Sequence, residues 1–150
     1  MPEAGEMAPD FTAVTDAGEE IRLSSLRGRK VVLYFYPKDN TPGCTQEACD
    51  FRDRQAAFDA QNAVVLGVST DSAKSQQGFK SKHGLPFTLL ADPDKELVST
   101  YGVYREKKQY GRTYMGTVRT TFVIDESGKI AQVFDNVRVK GHADAVLEAV

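Results

Sequence analysis

The sequence predicts an α/β fold in which a mixed central sheet carries helices on both faces. Two runs of apolar, β-favouring residues, 31–36 and 64–69, lack polar alternation, as strands do when both of their faces are covered. A stretch with helical spacing separates them, and two strands and a helix close the chain. With 150 residues, 41% of them hydrophobic, the chain has the size and composition of one globular domain, 1–150.

The elements of the first half follow from local signals. Residues 11–23 alternate loosely around a polar turn at 16–18 and predict a hairpin. Pro37 ends the first buried strand, because proline cannot donate to a sheet. Helical spacing of apolar residues then predicts one helix from residue 42 or 43 to residue 62.

The second half repeats this alternation, in an order that fits a thioredoxin-like layout. Residues 105–112 are interpreted as a charged, solvated loop, and a docking surface for an acidic reductase is the alternative. The predicted elements are a helix at 71–84, a strand at 87–90, a helix opened by Asp92 and Pro93 and ending near 101, strands at 120–125 and 130–134 joined as a hairpin, and a helix at 142–150.

Composition and charge exclude several classes of protein. The net charge is -2 and the pI is about 5.7, whereas proteins that bind nucleic acids or membrane surfaces carry strongly basic faces. The N-terminus has neither the basic nor the apolar region of a secretory signal. No apolar run approaches the roughly 18 residues of a membrane-spanning helix. We therefore expect a soluble, cytoplasmic protein without nucleic-acid or membrane partners.

The chain has only two cysteines, Cys44 and Cys49. In a reducing compartment, two closely spaced cysteines are more often chemical than structural. Together with His83 and His142 they lack the paired ligand spacing of a zinc site, so we expect no metal. Neither histidine lies near the cysteines in sequence, and neither is assigned a catalytic role.

Cys44 lies between a predicted strand and a predicted helix. Thr41 suits the N-cap and Pro42 the first helical position, which puts Cys44 near the third. A helix N-terminus acts as a partial positive charge and favours a thiolate, the form that attacks a peroxide oxygen. The Cys44 amide, the Thr41 hydroxyl and a nearby guanidinium are donors for the charge on the departing oxygen. From position alone, a small buried hydrophobic residue is an equally good interpretation of Cys44.

The segment around Cys44 resembles the active site of a known family. Pro37-x-x-x-Thr41-x-x-Cys44 matches the peroxiredoxin motif. Residues 35–37 and 41–45 look like the peroxiredoxin Q branch, also called the bacterioferritin comigratory protein branch. The likeness covers essentially the whole chain and continues, in the order of the family, through residues 67–69, 86–92 and 119–125.

The resemblance implies roles for individual side chains. Cys44 is the peroxidatic nucleophile in this comparison, Thr41 hydrogen-bonds the peroxide and Pro37 shields the thiolate from water. Arg119 matches the active-site arginine, which stabilises the thiolate and the leaving oxygen. Glu47 matches a position whose carboxylate often holds that arginine. Without the resemblance, Arg119 would be interpreted as an ordinary surface arginine.

A second thiol can condense with the sulfenic acid that peroxide leaves on Cys44, and Cys49 is the only other thiol in the chain. Across five residues of an intact helix the two Cα atoms would lie about 8.6 Å apart. A disulfide tolerates only about 4.4–6.8 Å. We therefore hypothesise that the first turns of the helix unwind after oxidation, and the resemblance implies the same intrachain Cys44–Cys49 disulfide. A buried helix residue without redox chemistry is the alternative for Cys49.

The leading prediction is a peroxidase that reduces hydrogen peroxide and organic hydroperoxides. The resemblance implies recycling by thioredoxin or a similar dithiol reductant, and a monomer. No metal, haem or flavin is expected, because the thiol itself carries the electrons. Two alternatives stay open: a thiol–disulfide oxidoreductase, against which the C-x-x-x-x-C spacing counts, and a non-enzymatic, chaperone-like binding module.

Overall fold

The computed structural model describes residues 1–150, which form nine strands and five α-helices. The strands are β1 (Thr12–Thr15), β2 (Glu20–Arg22), β3 (Lys30–Phe35), β4 (Ala63–Ser69), β5 (Thr88–Ala91), β6 (Tyr104–Gln109), β7 (Arg112–Thr117), β8 (Thr120–Ile124) and β9 (Ile130–Phe134). The helices are α1 (Pro42–Asp53), α2 (Gln55–Ala60), α3 (Ala73–His83), α4 (Glu96–Thr100) and α5 (His142–Glu148), and a 3₁₀ turn covers Leu23–Leu26. None of these helices is both long and apolar enough to cross a bilayer.

Seven strands form one mixed sheet in the order β2-β1-β5-β4-β3-β8-β9. The central strands β3, β4 and β5 pair in parallel, whereas the strands on both sides of them pair antiparallel. The predicted hairpin at 11–23 is confirmed as the β1–β2 pair. Strand β3 lies between β4 and β8, so the loop that leaves its C-terminal end starts from the middle of the sheet.

Two hydrophobic cores cover the two faces of the sheet, as the unbroken apolar strands predict. On one face, Phe51 of α1, Phe79 of α3 and Val146 of α5 are fully buried against the sheet. On the other face, Leu97 and Val98 of α4 pack in the second core. The prediction of a mixed sheet with helices on both faces is therefore confirmed.

The prediction of a single helix over residues 42–62 is wrong. Arg54 leaves the helical conformation, with φ -111° and ψ 12°, and separates α1 from α2. Its guanidinium reaches the Asp144 carboxylate of α5 at 2.6 and 3.1 Å, and it donates to the Asp50 carbonyl at 2.9 Å. The break thus lies where α1 is joined to the C-terminal helix.

The structure also corrects the elements after β5. Helix α4 begins at Glu96 rather than at Pro93, because Asp92 caps it from a distance through the amides of Leu97 and Val98 at 3.1 and 2.9 Å. The segment 105–112, predicted as a loop, belongs to the β6–β7 hairpin. This hairpin forms a separate two-stranded sheet, and charged residues on both of its faces hide the alternation that indicates a strand.

Candidate active site

The site lies at the point where β3 leads into α1. Cys44 is the third residue of α1, with Pro42 in the first position, as predicted. The Cys44 residue is only 1% exposed, so its sulfur lies at the buried start of the helix. Helix α1 is 12 residues long, and the amides of its first turn have no partner within the helix. These amides and the helix dipole favour a negative charge on Cys44.

Arg119 connects Cys44 to a buried carboxylate. Its Nη2 atom lies 3.4 Å from the Cys44 sulfur, and its Nη1 atom lies 2.6 Å from Oε1 of Glu47. Arg119 directly precedes β8, the neighbour of β3, and this pairing brings it to the start of α1. A Cβ atom at Gly43 would lie 3.2 Å from Arg119 Nη2, so the glycine leaves room for the guanidinium over the first turn.

Burial dominates the electrostatics of this group. It raises the pKa of Glu47 to about 7, although the Arg119 charge and hydrogen bond act in the opposite direction. Burial alone would lower the pKa of Arg119, but the Glu47 carboxylate and the Cys44 sulfur outweigh it and raise that pKa. Above about pH 7, Glu47 and Arg119 therefore form a carboxylate–guanidinium ion pair at 2.6 Å, and below it the carboxyl group takes up a proton.

Thr41 and Pro37 lie on the same loop, but neither has a hydrogen bond to Cys44 or Arg119. Thr41 occupies the N-cap position, as predicted, yet its hydroxyl donates to the Lys38 carbonyl at 2.9 Å and caps no helix amide. Both Thr41 and Pro37 are half-buried. The structure therefore brings Arg119 into contact with both Cys44 and Glu47, whereas Thr41 and Pro37 stay outside this hydrogen-bonded group.

A buried carboxylate anchors the active-site loop. Asp39 accepts a hydrogen bond from the Tyr36 hydroxyl at 2.6 Å and from the Ser75 hydroxyl of α3 at 2.8 Å. Its amide donates to the Asp71 carboxylate at 2.8 Å. Burial raises the pKa of Asp39, and the neighbouring Asp71 charge adds to this effect while the two hydroxyls oppose it. The loop between β3 and α1 is thus tied to the start of α3.

Cys49 is half-buried on the same continuous helix, and both cysteines are free thiols. An unbroken helix between them agrees with the spacing argument above, because the separation of their Cα atoms exceeds the reach of a disulfide. No group of three His, Cys, Asp or Glu side chains is arranged to hold a metal ion.

Comparison with known proteins identifies the family. The AhpC/TSA sequence profile matches residues 4–133. The chain belongs to the AhpC/TSA family. Peroxiredoxin Bcp of Bacillus subtilis is 47% identical over 146 residues, which are 97% of this chain and 93% of the relative.

Solved structures agree with this assignment. The bacterioferritin comigratory protein of Xanthomonas campestris, whose structures address its alkyl peroxide reduction activity, superposes with a TM-score of 0.91. It is 40% identical, and the match covers 98% of this chain and 96% of the other. Peroxidoxin BcpB of Mycobacterium tuberculosis gives a TM-score of 0.88 at 35% identity, over 99% of this chain and 96% of the other.

These matches confirm three predictions: the peroxiredoxin Q resemblance, the thioredoxin-like fold and the peroxidase function. The chain is therefore a peroxiredoxin, and the two alternative functions are not supported.

One residue of this peroxiredoxin was missed by the sequence interpretation. His142, at the start of α5, lies with Nε2 2.8 Å from the Thr121 hydroxyl and 3.9 Å from Oε2 of Glu47. Burial lowers the pKa of His142 to about 4, and the Arg119 charge acts in the same direction. No local signal marks it, because the contact arises only when α1, β8 and α5 pack together.

Proposed function

We propose that this peroxiredoxin reduces hydrogen peroxide and organic hydroperoxides with Cys44 as the nucleophile. The thiolate attacks the terminal peroxide oxygen, so that a sulfur–oxygen bond forms while the oxygen–oxygen bond breaks. The proton of the peroxide passes to the leaving oxygen, which departs as an alcohol or as water. Sulfur is oxidised by two electrons, and the sulfenate takes up a proton to become a sulfenic acid.

The contact of one guanidinium with both Cys44 and Glu47 carries this proposal. Arg119 lies 3.4 Å from the sulfur, close enough to stabilise the thiolate before attack and the charge on the leaving oxygen during it. Glu47 fixes the orientation of Arg119 through the 2.6 Å ion pair. Because the Arg119 guanidinium is already in place, little reorganisation is needed when negative charge develops on the leaving oxygen.

Thr41 and Pro37 complete the proposed site. The Thr41 hydroxyl donates to Lys38 and keeps its oxygen lone pairs free to accept a hydrogen bond from the peroxide. We propose that Pro37 shields the thiolate from water; it lacks an N–H group that would bind water. Both side chains are half-buried, which suits groups that meet a substrate arriving from solvent.

We further propose that Cys49 resolves the sulfenic acid. Its thiolate attacks the Cys44 sulfur, a disulfide forms as the sulfur–oxygen bond breaks, and the leaving hydroxide takes up a proton from solvent to become water. Because both cysteines lie on α1, the first turns of the helix must unwind, and the Arg119–Glu47 ion pair must break with them. Thioredoxin or a similar dithiol protein then reduces the disulfide and restores both thiols.

Two serine variants test the proposal. We expect Cys44→Ser to abolish peroxide consumption in the presence of thioredoxin, while Cys49→Ser keeps the first oxidation and loses efficient recycling. Mass analysis after one equivalent of peroxide should find an intrachain Cys44–Cys49 disulfide in the unmodified protein. A Cys44 sulfenic acid that accumulates beside a free Cys49 would contradict the disulfide step, and normal turnover by Cys44→Ser would contradict the nucleophile.

The setting of the enzyme is part of the proposal. We propose that one domain, 1–150, works as a monomer in the reducing cytoplasm, where a dithiol reductant is available. Two free thiols and a net charge of -2 are compatible with that compartment. Light scattering on the reduced and oxidised protein should give the mass of a monomer in both states, and a stable dimer in either state would refute this part.

A further inference from the structure

The Glu47 carboxylate has one oxygen that the peroxide mechanism above leaves unused. Oε1 accepts from Arg119, whereas Oε2 is buried and has no hydrogen-bond partner. An unpaired buried carboxylate oxygen is unfavourable, and native structures rarely keep one. The nitrogen that faces it is Nε2 of His142, at 3.9 Å. A shift of the Glu47 carboxylate by less than about 1 Å would bring the two atoms within hydrogen-bonding distance.

The imidazole of His142 is fixed by its surroundings. Its Nε2 atom lies 2.8 Å from the Thr121 hydroxyl of β8. Its ring packs edge-on against Phe51 of α1 at 6.0 Å and against Phe134 of β9 at 5.3 Å. The side chain is only 4% exposed, so it cannot turn toward solvent. The fixed ring therefore lies beside Oε2 of Glu47, the carboxylate oxygen that Arg119 does not bind.

The charges around Glu47 explain why a neutral side chain at His142 suits the site. Arg119 faces the carboxylate from the segment before β8, Asp50 acts on it from the next turn of α1, and Tyr34 faces it from β3. His142 faces it from α5 and is neutral at pH 7, because burial and Arg119 lower its pKa to about 4. Arg119 is thus the one cation on the carboxylate, and when Glu47 is ionised its charge is directed to Arg119.

We propose that His142 is a positioning residue for the peroxide reaction: with the Thr121 hydroxyl it holds the Glu47 carboxylate in the orientation that keeps Arg119 against the Cys44 sulfur. This inference rests on the proposed function of Cys44, and it means that α5, through His142, helps to position the active-site residues. In this arrangement the neutral imidazole carries its one proton on Nε2, directed between the Thr121 oxygen and Oε2 of Glu47, and the Thr121 oxygen accepts. A neutral donor serves better than a cation here, because a second positive charge would compete with Arg119 for the same carboxylate.

The test compares variants that remove or replace the Nε2 atom. His142→Phe keeps an aromatic ring between Phe51 and Phe134 but removes both nitrogens, whereas His142→Gln keeps a donor near Nε2. The measurement is the second-order rate constant for oxidation of Cys44 by hydrogen peroxide. We expect His142→Phe to lower it about tenfold and His142→Gln to stay within about threefold of the unmodified protein. His83→Gln, at the other histidine, is the matched control and should leave the rate unchanged.

A double-mutant cycle separates positioning from general packing. If His142 acts through Glu47, His142→Phe should change the rate less than about twofold when Glu47→Gln is already present. Should His142→Phe not fold, Thr121→Val and Thr121→Ser test the same contact, with loss expected only for valine. Equal rates for the phenylalanine and glutamine variants, or an undiminished effect beside Glu47→Gln, would overturn the inference. An unmodified protein that does not react with peroxide would instead refute the proposed function.

Discussion

Replacing Arg119 tests the proposed mechanism most directly, because this residue makes both of the decisive contacts. Arg119→Met removes the 2.6 Å ion pair to Glu47 and the 3.4 Å contact to the Cys44 sulfur. The loss of one preorganised donor at a site of developing charge lowers a rate by about 10²–10³-fold. We expect a loss of that size in the second-order rate constant for oxidation of Cys44.

The cost to stability should stay small enough for the variant to fold. Breaking a buried ion pair costs about 3–5 kcal/mol when the remaining charge stays buried. Burial already raises the pKa of Glu47 to about 7 with Arg119 present, so without Arg119 the carboxyl takes up a proton at neutral pH. The Glu47 side chain left behind is then a neutral carboxylic acid, and the loss in free energy of unfolding is limited.

Arg119→Lys is the matched control, because it keeps the positive charge. A single ammonium group cannot reproduce two separate nitrogens aimed at Glu47 and at Cys44, so we expect a loss of about tenfold. The chain contains no tryptophan, so oxidation is followed by rapid quenching with a thiol-alkylating reagent and mass analysis. Cys49→Ser serves as the common background, which stops the reaction at the sulfenic acid. A loss of less than about threefold for Arg119→Met would refute the role assigned to the guanidinium.

Two further substitutions test the surroundings of the site. Gly43→Ala places a Cβ atom 3.2 Å from Arg119 Nη2, so we expect a rate of peroxide reduction several-fold lower, although alanine stabilises a helix by up to about 1 kcal/mol over glycine. A rate equal to that of the unmodified protein would contradict the placement of the guanidinium. Asp39→Ala leaves the buried Tyr36 hydroxyl without its partner, which costs about 1–3 kcal/mol and loosens the loop before α1. For Asp39→Ala we expect a lower urea midpoint of unfolding and faster disulfide formation after oxidation. Ser75→Ala removes only one hydrogen bond to Asp39 and should have a smaller effect on both. A lower midpoint without faster disulfide formation would contradict the role of Asp39 in anchoring the loop.

Local signals predicted most of the fold, because they depend on neighbouring residues. Helix α3 is an example: Ser72 caps its first turn through the Ser75 amide at 3.1 Å, and Gly84 ends it with φ 59°. The break at Arg54 was not predictable in this way, since the contact that accompanies it is with the Asp144 carboxylate, on a helix much later in the chain. Long-range partners leave no periodic trace in the sequence.

The same division applies to the site. The strand, the proline and the cap position before Cys44 are local features, and the resemblance supplied Arg119 and Glu47. His142 could not be found from spacing, because its contact with Glu47 requires the packing of α5 against α1. The β6–β7 hairpin was missed for another reason, since charged side chains at four of the six positions of β6 remove the apolar alternation there.

Glu47 couples the chemistry of Cys44 to the unwinding that Cys49 requires. It lies between the two cysteines on α1, within the segment that we propose to unwind. In the folded helix its pKa is raised from 4.5 to about 7, so that between about pH 4.5 and pH 7 the folded form holds a proton that the unwound form releases. The stability that this proton contributes is fully present below about pH 4.5 and is lost as the pH rises through about 7.

Unwinding, and with it the formation of the disulfide, should therefore become easier as the pH rises over this range. The measurement is the rate of disulfide formation after one equivalent of peroxide, taken from about pH 5 to pH 8 in the unmodified protein and in Glu47→Gln. Glutamine cannot ionise, so its profile keeps only the contribution of the attacking thiol, and the difference between the two profiles isolates the carboxyl group. Profiles of the same shape would mean that Glu47 does not control the opening of α1, and the link between the buried ion pair and the resolving step would fail.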